Sequence, residues 1–201
     1  TLPHTFPRTD TVAGPPLVGI GWYYTTVAVT KPLADRDLFL EFDGVCLRAE
    51  IFVDGNSVGR SPFPYVPFRL DLTASIRGKR SVRIAVKVDN RLRDGEFPDK
   101  RANGWIPYGG LVREVRLLAV PKQRIDRIAL QTFYRAQDTF DFAIRLFRTG
   151  KPWDSVTVSL GSPATPALTR AYTLLGSDTT IRISGIEAWT PDSPRLYHVV
   201  A

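Results

Sequence analysis

The chain has 201 residues, 43% of them hydrophobic, and 27 Lys and Arg against 20 Asp and Glu give a net charge of +7. That length holds one large or two modest domains with real cores, and no run approaches the roughly 18 consecutive apolar residues of a membrane-spanning helix. A single cysteine excludes an intramolecular disulfide and any cysteine-based metal cluster.

The chain begins at Thr1, contains no methionine and shows no leader pattern, so it reads as a fragment or a processed piece. Its compartment, bacterial cytoplasm or periplasm, stays open. Cys46 lies in the apolar stretch Val45-Cys46-Leu47 and reads as a small core residue. Ala49, Ile51 and Val53 alternate with polar neighbours up to Asp54-Gly55-Asn56, and the chain resumes at Ser57-Val58-Gly59. Those turn residues supply the positive φ angles of a tight hairpin. The proline-dense stretch 62–67 lacks ladder donors and reads as an edge or a loop. Val82, Ile84, Val86 and Val88 then alternate with Arg83, Ala85 and Lys87, the period of a strand with one core face.

A polar segment, 91–101, and a loop, 103–110, precede the next strand at Glu114–Ala119. A domain boundary is expected at Val120-Pro121-Lys122, with a new apolar run from Ile125. Phe140, Phe142, Ile144 and Leu146, and later Val156, Val158 and Leu160, repeat the period of two. No long segment has the helical period. With 16 prolines and 15 glycines as punctuation, the chain is expected to be all-β. About eight strands over 1–120 suit a jelly-roll sandwich. About six short strands over 121–201 suit an immunoglobulin-like sandwich, with its last strand clipped at Val200-Ala201.

Little in the sequence carries chemistry of its own. His4 and His198 are the only histidines and have no metal-ligand spacing, so neither metal nor cofactor is expected. Asp94, Glu96 and Asp99 are carboxylates of the kind a glycosidase pairs. They are interleaved with Arg93, Lys100 and Arg101 and read as a solvated loop. Glu41, Glu50 and Glu114 alternate with apolar residues and face outward. Basic residues such as Arg80, Arg83, Lys87, Arg113, Arg116, Arg145 and Arg148 are spread along strands without a compact run, which argues against nucleic acid. The aromatic pair Trp105 and Tyr108, in a loop with Asn103, would suit a sugar, whose C–H faces stack on flat rings, although a loop tryptophan more often packs onto its own sandwich.

Several segments resemble, in order, the N-terminal half of family 2 glycoside hydrolases, which include β-galactosidases, β-glucuronidases and β-mannosidases. They are Thr1–Phe6, Gly19–Tyr24 (with Tyr24 where the family usually has arginine), Leu38–Val45, Ala49–Gly59, Tyr65–Asp71, Trp105–Val115 and Trp189–Tyr197. The resemblance implies that two catalytic glutamates sit on a (β/α)8 barrel outside this chain, giving a retaining mechanism. By the same resemblance these sandwiches buttress the barrel, contribute to a homo-oligomer interface and place Asn103, Trp105 and Tyr108 along one wall of a β-glycoside site. Asn103-Gly104 stands where some members carry an acidic residue. The alternative is a free-standing carbohydrate-binding or adhesion module on the same folds. Neither reading involves a membrane or nucleic acid.

Overall fold

The computed structural model describes residues 2–7, 17–96, 99, 108–162 and 165–201. The chain divides into two compact units, Thr1–Pro121 and Lys122–Ala201. Among the described residues, every pairing between the named strands is antiparallel.

The first unit contains, in chain order, β1 (His4–Thr5), β2 (Ile20–Ala28), α1 (Lys31–Ala34), β3 (Asp37–Phe42), β4 (Arg48–Val53), β5 (Asn56–Arg60), β6 (Phe68–Asp71), α2 (Thr73–Ile76), β7 (Ser81–Asp89), β8 (Gly110–Leu111) and β9 (Val115–Val120). A four-stranded sheet, β2-β7-β4-β5, and a three-stranded sheet, β6-β3-β9, enclose the core, and the short pair β1-β8 lies beside them. This is the jelly-roll sandwich. The period of two decides which residues meet. Leu38, Leu40 and Phe42 of β3, Ala49, Ile51 and Val53 of β4, and Val82, Ile84, Val86 and Val88 of β7 are all buried. Phe42 stacks on Phe68 at 4.7 Å. Cys46 is buried here as a free thiol.

The polar alternation also follows the pleat. Arg116 of β9 reaches Asp43 at 2.6 Å, Glu114 at 2.6 Å and Glu41 at 3.2 Å, while Glu50 pairs with Arg60 at 2.9 Å. The β4–β5 hairpin closes through Val53 opposite Asn56, with Asp54 at φ 49° and Gly55 at φ 87°. Asp54 accepts a hydrogen bond from the Arg83 N–H at 2.8 Å, which ties the turn to β7. No strand forms over 61–67, as the prolines dictate.

The second unit contains β10 (Arg124–Ala136), β11 (Thr139–Thr149), β12 (Val156–Ser162), β13 (Thr165–Leu174), β14 (Asp178–Ile183) and β15 (His198–Val200). Its sheets, β10-β11-β14 and β13-β12-β15, form an immunoglobulin-like sandwich. Phe142, Ile144, Leu146, Val158, Leu160, Leu174, Ile183 and Ile186 make the core between them. Asp141 is buried on β11, and Arg135 and Arg182 each hold it at 2.7 Å. Among the described residues, no helix is long and apolar enough to cross a membrane.

Candidate functional site

The loop expected to reach a sugar enters β8 through Tyr108-Gly109-Gly110. Asn103 and Trp105 lie outside the described residues. Tyr108 is 45% exposed, and its ring centroid lies 6.5 Å from that of Tyr65, with the planes tilted by 59°. Tyr65 comes from the proline-dense loop, in left-handed backbone at φ 62°. Its N–H donates to the Val45 carbonyl and its hydroxyl accepts from Cys46 Sγ, both at 2.9 Å. Burial pushes the Cys46 thiol up to about 11, partly countered by the Tyr65 hydroxyl, which can donate to the thiolate. The thiol therefore stays protonated and anchors Tyr65, and it offers no nucleophile. Two loops far apart in sequence thus present Tyr65 and Tyr108 side by side.

The base of the Tyr108 loop is held by backbone. Gly110 exchanges hydrogen bonds with Cys46 at 3.1 Å in each direction, and Phe6 N–H donates to Gly109 O at 2.7 Å. Gly110 sits at φ 131°, where a Cβ would stand 2.4 Å from the His4 carbonyl oxygen. At Gly109 a Cβ would meet the Phe6 ring at 2.3 Å and Asn90 Nδ2 at 2.8 Å. The Gly-Gly pair is therefore demanded by close approach as well as by the turn. The fully buried Asn90 donates to Leu17 O at 2.8 Å and accepts from Gly19 N–H at 2.7 Å. One side chain thereby links the start of β2 to the end of β7. His4 Nδ1 lies 2.8 Å from the Tyr23 hydroxyl, which places the N-terminal strand against β2.

Beside this loop, the polar segment after β7 is an ion-pair cluster. Asp89, 7% exposed, accepts from Arg91 Nε at 2.9 Å, Arg91 Nη2 at 2.8 Å and the Arg91 N–H at 3.0 Å. Arg93 lies 3.4 Å away and Arg48 3.7 Å. Burial opposes ionisation of this carboxyl. The Arg91 hydrogen bonds and the neighbouring Arg48 charge outweigh it and hold the group at about 2. Glu96 pairs with Arg48 and with Arg93, and Asp99 accepts from the Gly95 N–H at 3.1 Å. These partners fit a structural role for Glu96 and Asp99. Among the described residues, no group of three or more His, Cys, Asp or Glu could hold a metal ion.

Asp89, Asn90 and Phe6 are the positioning residues that sequence reading missed. The available signal was Asp89-Asn90 itself, two polar residues where an otherwise apolar-alternating strand ends.

Residues 3–121, more than half of the chain, match the family model described as "Glycosyl hydrolases family 2, sugar binding domain". The chain belongs to glycoside hydrolase family 2. Among its relatives, a β-galactosidase of Bacteroides ovatus is 37% identical over 99 residues, which are 49% of this chain and 11% of that protein. A β-galactosidase of Thermoanaerobacter pseudethanolicus is 24% identical over 193 residues, 90% of this chain and 25% of that one. A solved β-glucuronidase of Bacteroides uniformis superposes with a TM-score of 0.79 at 22% identity, over 98% of this chain and 27% of that one. At that identity the likeness shows the fold. The aligned residues thus span between about a tenth and a quarter of the length of these two β-galactosidases.

Proposed function

We propose that this chain is the non-catalytic sandwich region of a family 2 β-glycosidase, which supports a catalytic barrel and lends it one wall of the sugar site. The observation that carries this reading is the family 2 sugar-binding match over residues 3–121, in a chain that covers only a small share of its enzyme relatives. Relatives named β-galactosidase and β-glucuronidase support a β-glycoside as substrate. Hydrolysis would then proceed with retention, by two close carboxylates carried on the barrel.

In this scheme the local chemistry is positional. Tyr108 offers an exposed aromatic face beside Tyr65, while Gly109 and Gly110 fix where the loop leaves the sandwich. Asn103 and Trp105, shortly before Tyr108 in the sequence, are the other proposed sugar contacts. Carbohydrate is the proposed ligand, the barrel and a homo-oligomer are the proposed partners, and no cofactor is involved.

Reading the gene beyond Ala201 and assaying its product on aryl β-galactoside, β-glucuronide and β-mannoside tests the proposal. A barrel-sized continuation with turnover of one of these supports it. A stop codon or a cell-wall anchor directly after Ala201 replaces it with a free-standing carbohydrate-binding module.

A further inference from the structure

The outer face of the β2-β7-β4-β5 sheet carries a second arrangement suited to a sugar, and it does not involve the Tyr108 loop. The alternation that sends Tyr23 inward sends Trp22 and Tyr24 outward, where they remain 46% and 66% exposed. Their ring planes lie within 9° of parallel at 6.0 Å between centroids, and Trp22 also meets Phe52 of β4 at 5.6 Å. Between them runs β7. Its Ala85 stands in register with Tyr24 on one side and Phe52 on the other. A methyl group between two aromatic neighbours leaves a hollow of about 690 Å³ on the sheet.

Charge completes the arrangement. Along β7, Arg83 and Lys87 point to the same side as Ala85 and flank it, each two residues away. Asp54 and Glu50 interact electrostatically with Arg83 and Lys87, but the ion pairs those carboxylates close are with Lys79 at 2.6 Å and Arg60 at 2.9 Å. No described carboxylate closes an ion pair on Arg83 or Lys87. Two cations about 13 Å apart along one strand, with exposed rings between them, match a ligand that alternates apolar ring faces with carboxylates. Arginine and lysine both take carboxylates, the former in bidentate fashion.

We propose that the Trp22, Tyr24 and Phe52 face around Ala85 binds a uronate-bearing glycan chain, with sugar C–H faces on the rings and sugar carboxylates on Arg83 and Lys87. Such a site would tether an acidic polysaccharide to the first unit independently of the sugar site assigned to the Tyr108 loop.

Isothermal titration of the 201-residue chain at physiological salt tests this, with an oligogalacturonate, a neutral cello-oligosaccharide and a single-stranded oligonucleotide as titrants. The oligogalacturonate should bind, and both the neutral sugar and the oligonucleotide should bind at least about tenfold more weakly. Trp22→Ala, Tyr24→Ala and the double variant Arg83→Gln/Lys87→Gln should each lose about tenfold in oligogalacturonate affinity. Lys151→Gln, an exposed cation of the second unit, should leave it unchanged. Because Tyr24 is the more exposed of the two rings, its variant keeps the test valid should Trp22→Ala lower the melting temperature. Absence of oligogalacturonate binding would overturn the proposal. So would equal affinity for the neutral sugar or the oligonucleotide, or full affinity in both aromatic variants.

Discussion

Gly110 shows how a single position sets the Tyr108 loop. Its φ of 131° suits glycine, and any Cβ there would press on the His4 carbonyl at 2.4 Å. Gly78 is also left-handed, at φ 76°, but has open space around it. Gly110→Ala should therefore destabilise the protein by about 3 kcal/mol, combining strain with overpacking, and Gly78→Ala by only about 1 kcal/mol. Urea titration of the two variants checks the difference, and equal costs would mean that the β1–β8 contact yields easily. The buried carboxylates make a second residue-level prediction. Asp89 and Asp141 are both held at about 2 by arginine partners, below the roughly 3.9 of an unfolded aspartate. A depressed folded value adds stability that is complete above the unfolded value and fades as pH falls toward the folded one. Stability should thus drop between about pH 4 and pH 2. Thermal melts of Asp89→Asn should show a shallower pH slope in that window than wild type, and an identical slope would remove Asp89 from the account.

At the scale of the element, β4 and its hairpin carry much of the first core. Ile51 is fully buried at the centre of the four-stranded sheet, and Ile51→Ala should cost about 2–5 kcal/mol through lost burial and a cavity. A shift in urea midpoint with an unchanged slope is the expected readout. Such elements were legible in the sequence because one face of each strand is buried: the period of two marked β4, β7, β11 and β12, and Asp54-Gly55 marked the turn. The candidate site was less legible. Tyr108 could be singled out as a loop aromatic, but its neighbour Tyr65 comes from a loop more than forty residues earlier. Their meeting depends on the Cys46–Gly110 bridge, which no local pattern announces. The Asp89 cluster was hidden for a similar reason. Its partner Arg48 sits on another strand, in register with Asp89, and register is a property of the folded sheet. The outward phase of Trp22 and Tyr24 was within reach, since it follows from their spacing, yet their approach to Phe52 required the strand order β2-β7-β4.

For the whole molecule, the proposed role makes the two antiparallel sandwiches suppliers of support and surface, with the bond-breaking groups elsewhere in the polypeptide. The ionisable groups of the first unit fit this division. Among its described residues, Asp89 is locked by arginines, the Cys46 thiol is buried, and the outward rings of Trp22, Tyr24 and Tyr108 offer surface rather than acid or base. The most direct measurement is hydrolysis of aryl β-galactoside, β-glucuronide and β-mannoside by residues 1–201 alone, run beside the product of the reading frame continued past Ala201. The account predicts turnover only in the longer protein, with the shorter chain indistinguishable from the buffer blank. Turnover by residues 1–201 above that blank would contradict it.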